Sequence, residues 1–151
     1  MQRTRLVNVK CKAKRVKYLA CTRVNRSTLA LAACTPALAY GWDVMGASDT
    51  MLKAGRATVA SMIASGAGGK NPDAILMLAD AAGGSIDPAH DAHSLVAKHW
   101  AQAWWERWQP TAVLERSFRE AVARLRTAAR SVWDLLTGPV SALVASLWRR
   151  H

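Results

Sequence analysis

Residues 111–137 read TAVLERSFREAVARLRTAARSVWDLLT, and this stretch decides the fold class. Its apolar positions Leu114, Phe118, Val122, Leu125, Ala129, Val132 and Leu136 are spaced 4, 4, 3, 4, 3 and 4. That rhythm follows the 3.6-residue turn of an α-helix, not the two-residue alternation of a strand. Arg116, Arg119, Arg124, Arg126 and Arg130 fall largely outside the stripe, so the pattern predicts a long amphipathic helix with a basic outer face. Pro110 stops the chain before it and Gly138-Pro139 stops it after. A last short helix then carries Val140, Leu143, Val144, Leu147 and Trp148.

Working outward, the same logic recurs. Asp87-Pro88 is a helix start, with a side-chain cap followed by Pro at the first helical position, and the helix it opens is expected to reach Trp108. Asn71-Pro72-Asp73 repeats the signal for a shorter helix carrying Ile75, Leu76, Leu78 and Ala79, which Gly83-Gly84 ends. Ser48 opens a helix to about Ala64, with Leu52, Gly55, Val59 and Met62 or Ile63 on one face. Another is expected from Ser27 towards Tyr40, with Pro36 either kinking it or starting a new turn, and Gly41 ending it. Residues 11–22 have helical character, and residues 3–10 read as a short strand or the start of a helix. The expectation is an all-α bundle of about five to seven helices, with residues 1–108 as a basic helical domain and 109–151 as an amphipathic extension.

Composition agrees. Hydrophobic residues make up 51% of the 151, too many for a disordered chain, and much of that share is alanine, a strong helix former. With one Phe and two Tyr the β reading starts weak. Cys11, Cys21 and Cys34 form neither a CxxC pair nor a disulfide framework, which points to a reducing compartment, nuclear or cytoplasmic. No signal peptide or transmembrane segment is expected: the longest uncharged run, Ser27 to Trp42, is short and contains Pro36.

The net charge of +11 is unevenly spread. Residues 1–42 hold nine Lys or Arg and no acid, residues 43–97 hold more acids than bases, and residues 98–151 are basic again. Basic ends suit a polyanionic partner. Lys10, Lys12, Lys14, Arg15, Lys17, Arg23 and Arg26 are therefore the candidate contacts to a nucleic-acid backbone, with Lys12, Lys14, Arg15 and Lys17 expected to dominate and Arg23 and Arg26 to support them. Such binding is weakly selective for sequence because phosphate contacts carry no base information.

Motifs for chemistry are incomplete. His90 and His93 with Asp91 offer two metal ligands where a site needs three or four. The loop Gly66-Ala-Gly68-Gly69-Lys70-Asn71 lacks the spacing of a phosphate cradle and has no strand before it. Neither a nucleophile elbow nor paired carboxylates occur, so the sequence points to no catalytic residue, metal or cofactor. Trp100, Trp104 and Trp108, at i, i+4 and i+8, are expected to fill the core; Trp105 points elsewhere and is the candidate for stacking on a base. The alternative function is binding to an anionic membrane surface or a protein partner through residues 111–150, which would require the apolar stripe to be exposed.

Short motifs over Thr35–Trp105, about half the chain, resemble the region downstream of the polymerase active site in non-LTR (LINE-type) retroelement reverse transcriptases. They are Pro36-Ala-Leu-Ala-Tyr40-Gly41, Val44-Met-Gly46, Ser48-Asp49-Thr-Met51-Leu52, Lys70-Asn-Pro72-Asp73 with Leu76 and Leu78, and Asp87-Pro88 leading to Lys98-x-Trp100-Ala-x-x-Trp104. The resemblance implies a thumb that holds template–primer duplex by its backbone. It gives a contact role to the basic residues ahead of Pro36 and a packing role to Tyr40 and Leu52. The family's Tyr/Phe-x-Asp-Asp turn is absent, since Leu78-Ala-Asp80-Ala81 has a single acid, and fingers and palm are missing. The resemblance thus implies a remnant of an RNA-directed DNA polymerase that is not catalytic alone.

Overall fold

The computed structural model describes residues 2–19, 26–64, 69, 71–80, 86–129 and 131–149. The described residues are helical, with no strand among them. In order they form α1 (Gln2–Leu19), α2 (Arg26–Ala33), α3 (Thr35–Ala39), α4 (Trp42–Met45), α5 (Asp49–Ile63), α6 (Pro72–Asp80), α7 (Pro88–Trp105), α8 (Thr111–Arg126), a 3-10 turn (Val132–Leu135) and α9 (Pro139–Arg149). The chain divides into two compact units, residues 1–40 with 49–91, and residues 41–48 with 92–151. The turn at residues 108/109, where the sequence suggested a boundary, lies inside the second unit because Val96 and Trp100 of α7 share a core with Phe118 of α8 and Ala142 and Leu143 of α9.

In the first unit α5 is the central element, with α1, α2 and α6 packed on it. Its buried Leu52, Val59 and Met62 match the face expected from sequence. Residues 3–10 are helical, not a strand. Val9, Ala13 and Val16, all under a tenth exposed, continue one stripe at spacings of 4 and 3, which only a helix keeps on the side facing α5. Pro36 starts a new helix rather than kinking the old one: α2 ends at Ala33 and α3 begins at Thr35, with the proline in its first turn, where the missing N–H costs nothing. Two starts follow the sequence logic closely. The Asn71 side chain accepts a hydrogen bond from the Asp73 N–H at 2.9 Å, and that of Asp87 from the Ala89 N–H at 2.9 Å.

In the second unit the amphipathic stretch is helical only to Arg126. Beyond it the Thr127 hydroxyl donates to the Arg124 carbonyl at 2.6 Å and the chain turns. Val132, Trp133, Leu135 and Leu136 then fold back on a core of Ala121, Leu125, Val144 and Ala145. A straight helix would carry them away from that core, so tertiary burial overrides the heptad-like rhythm. Ser141, buried at the start of α9, accepts from the Thr137 and Gly138 N–H groups at 3.0 and 3.1 Å and donates to the Gly138 carbonyl at 2.8 Å. α4 packs on α9 with Trp42 fully buried. Among the described residues no helix is long and apolar enough to cross a membrane.

Candidate nucleic-acid interface

α1 is amphipathic with a lysine border. At about 100° per residue, Lys10, Lys14 and Lys17 lie within roughly 60° of one another beside the Val9/Ala13/Val16 stripe, and they span about 10 Å along the axis. All three are exposed. Together with Ala13 they form one wall of a groove whose other wall is Ala54, Ala57, Thr58 and Ser61 of α5, with a volume of about 330 Å³. None of the residues lining it is acidic. The α5 wall is low because its side chains are small. Its hydroxyls are turned onto their own helix: Thr58 donates to the Ala54 carbonyl at 2.7 Å and Ser61 to that of Thr58 at 2.8 Å. What remains is a shallow trough with cations along one side, able to neutralise an elongated polyanion without reading it.

The acids of this unit are partly occupied with another cation. Arg56 is held by Asp73 at 2.7 Å and by Asp87 at 2.8 Å. Against the burial that opposes its charge, Asp87 and then Asp73 raise its affinity for the proton. Burial likewise raises the Asp91 carboxyl above its ordinary range, with Asp80 and Asp87 adding to the effect while His90, 3.8 Å away, opposes it.

The other expected contacts scatter. Lys12 and Arg15 are exposed but lie about 160° and 100° round α1 from Lys14. Lys12 sits on the side of the buried Cys34, whose thiol is raised by burial and lowered by that lysine. Arg26 opens α2, is half-buried and already has a partner. Arg23 lies outside the described residues, as do Cys21, Gly83-Gly84, Arg130 and most of the Gly66–Asn71 loop. Arg5, not singled out from sequence, donates to the Tyr40 carbonyl and lies 4.7 Å from the centre of the Tyr40 ring. Tyr40 is consequently a largely exposed platform for a cation and not a packing residue, whereas Leu52 is buried as expected. The α5 wall of the groove has its signal in the sequence in the small residues at 54, 57, 58 and 61, which share one helix face.

The tryptophan stripe is corrected in part. Trp100 is half-buried against Phe118, with ring centres 6.1 Å apart, but Trp104 is 36% exposed and Trp108 53%. The helix ends at Trp105, and Arg107 takes a left-handed φ of 51°, so Trp108 leaves the stripe and donates its indole N–H to Glu106 at 2.7 Å. Trp105 is 90% exposed. In α8, Leu114, Ala121 and Leu125 are buried and Phe118 and Val122 half-buried, so the exposed arginines there flank a covered stripe. Among the described residues no three His, Cys, Asp or Glu side chains are grouped to hold a metal.

The chain matches no protein-family model, no curated protein and no solved structure.

Proposed function

We propose that the chain binds the phosphate backbone of nucleic acid through the α1–α5 groove, with little dependence on sequence. One observation carries the reading: Lys10, Lys14 and Lys17 line one wall of a trough that contains no acid. Lys12 and Arg15 add long-range attraction from the outer side of α1, and Trp105 is free to stack on an unpaired base. The proposal includes descent from the thumb of a non-LTR retroelement reverse transcriptase. A thumb holds its template–primer duplex by the backbone, and without the palm aspartates such a remnant binds and does not polymerise.

The test is titration of a labelled RNA–DNA duplex with the purified chain across a salt series, with anionic liposomes alongside. Affinity should fall linearly on a log–log plot, at about 0.9 in slope for each phosphate neutralised, and should be alike for unrelated sequences. Duplex affinity that does not change with salt, or retention on liposomes alone, would overturn the reading.

A further inference from the structure

The second unit holds a groove that nucleic-acid binding leaves unused. Trp100 and Trp104 of α7 and Glu115, Phe118 and Arg119 of α8 line a recess of about 390 Å³. Trp100 and Trp104 meet edge to face, ring centres 6.2 Å apart and planes at 74°, and Phe118 is tilted 34° to Trp100. Nearly perpendicular aromatic walls make a corner. A flat base stacks best between parallel faces, whereas a rounded cation is attracted to several π-faces at once, within about 6 Å of each ring centre. At the lip stand opposite charges one turn apart: Glu115, and Arg119, whose guanidinium lies 3.7 Å from the Glu115 carboxylate. Both are exposed, so the pair is weakly held and easily exchanged for a ligand's charges.

We propose that this recess binds a phosphocholine group. The trimethylammonium occupies the Trp100/Trp104/Phe118 corner with Glu115 as its counter-ion, and the phosphate takes the Arg119 guanidinium. A simple cation would leave Arg119 repelling it, and a simple anion would leave the aromatic faces and Glu115 opposed. A zwitterion with its two charges a few bonds apart satisfies both ends of the lip.

The experiment is titration of the full chain with phosphocholine, read by the indole N–H signals in NMR and by calorimetry. Two controls are 3,3-dimethylbutyl phosphate, which replaces the ammonium nitrogen with carbon, and adenosine monophosphate. The expected result is saturable binding of phosphocholine, with the isostere that lacks the ammonium charge weaker by about tenfold, as loss of a cation–π contact at a part-buried site implies. Trp104→Ala and Glu115→Gln should each weaken phosphocholine several-fold. Glu115→Gln, at an exposed position, keeps the test valid should the tryptophan variant fail to fold. Equal affinity for the isostere, no binding of phosphocholine, indole shifts with adenosine monophosphate only, or indifference to Glu115→Gln would overturn the proposal. Phosphatidylcholine vesicles form a second arm. Retention on them that soluble phosphocholine competes away assigns the group to a lipid surface, and soluble binding without retention assigns it to a free metabolite; both sustain the recognition proposed.

Discussion

The Arg56 guanidinium grips the Asp87 carboxylate with three hydrogen bonds, Nε to both oxygens at 3.0 and 3.1 Å and Nη2 to Oδ2 at 2.8 Å. Its remaining nitrogen reaches Asp73 at 2.7 Å. One side chain of α5 thereby ties down the starts of α6 and α7, because Asp73 lies in the first turn of α6 and Asp87 caps α7. Both members of the Arg56–Asp87 pair are largely shielded from water. Replacing Arg56 by Gln should lower stability by about 1–3 kcal/mol, the range for a charge-assisted bond whose partner is left partly buried. Lys at this position should restore less than half, since a point charge cannot reproduce the fork. Urea denaturation of both variants measures it, and a double-mutant cycle with Asp87→Asn isolates the pair.

The groove makes a positional prediction about binding. Changing Lys10, Lys14 and Lys17 together to Gln should reduce the salt slope for duplex by about 2–3. The double change Lys12→Gln with Arg15→Gln should reduce it less, because those residues leave the trough intact. Equal effects from the two sets would place the contact on net charge and not on the groove.

Gly46 sits at φ 62°, ψ −177°, a conformation essentially confined to glycine. A Cβ there would meet Trp133 at 2.9 Å and Leu136 at 3.1 Å. Gly46→Ala should therefore destabilise the second unit by about 2–4 kcal/mol, combining backbone strain with overpacking. Near-ultraviolet circular dichroism of the tryptophans during thermal melting checks it.

Glu106 accepts hydrogen bonds from the Gln102 amide and the Trp108 indole, both at 2.7 Å, and the two hold its carboxyl below its ordinary value of 4.5. A depressed native value means that the contribution is complete above the ordinary value and fades as pH falls through the native one. Glu106→Gln should flatten the acid limb of the stability profile below about pH 4.5 by slightly lowering the neutral-pH plateau, the two proteins converging at low pH. The difference should be small because the group is fully exposed. Melting temperature measured from pH 2 to 7 in both proteins is the check.

Trp105 is 90% exposed. Trp105→Ala should alter stability by no more than about 0.5 kcal/mol. If the ring stacks on bases, the same change should weaken single-stranded oligonucleotides by about 1–3 kcal/mol and leave duplex affinity alone. Filter binding with matched strands separates the two.

The helices that begin at Pro72, Pro88 and Thr111 were legible in the sequence because their signals are local: a capping side chain, a proline at or beside the first position, a run of apolar residues at helical spacing. The all-α class followed from those signals and from alanine, and the basic character of residues 1–42 from counting. What lay beyond the sequence depended on contacts between distant residues. Whether Val7 and Val9 belonged to a strand or a helix was decided by α5, which receives Val9, Ala13 and Val16. The amphipathic rhythm through Leu136 was real, but the last third of it turns back because Leu125 and Val144 offer Val132 and Trp133 more burial than a straight helix does. Density along the chain favoured Lys12, Lys14, Arg15 and Lys17; the fold instead set Lys10, Lys14 and Lys17 beside small α5 residues and left Lys12 and Arg15 on other faces. Propensity and capping act over a few residues and can be read in one dimension, whereas a groove exists only once two helices have chosen which faces to press together.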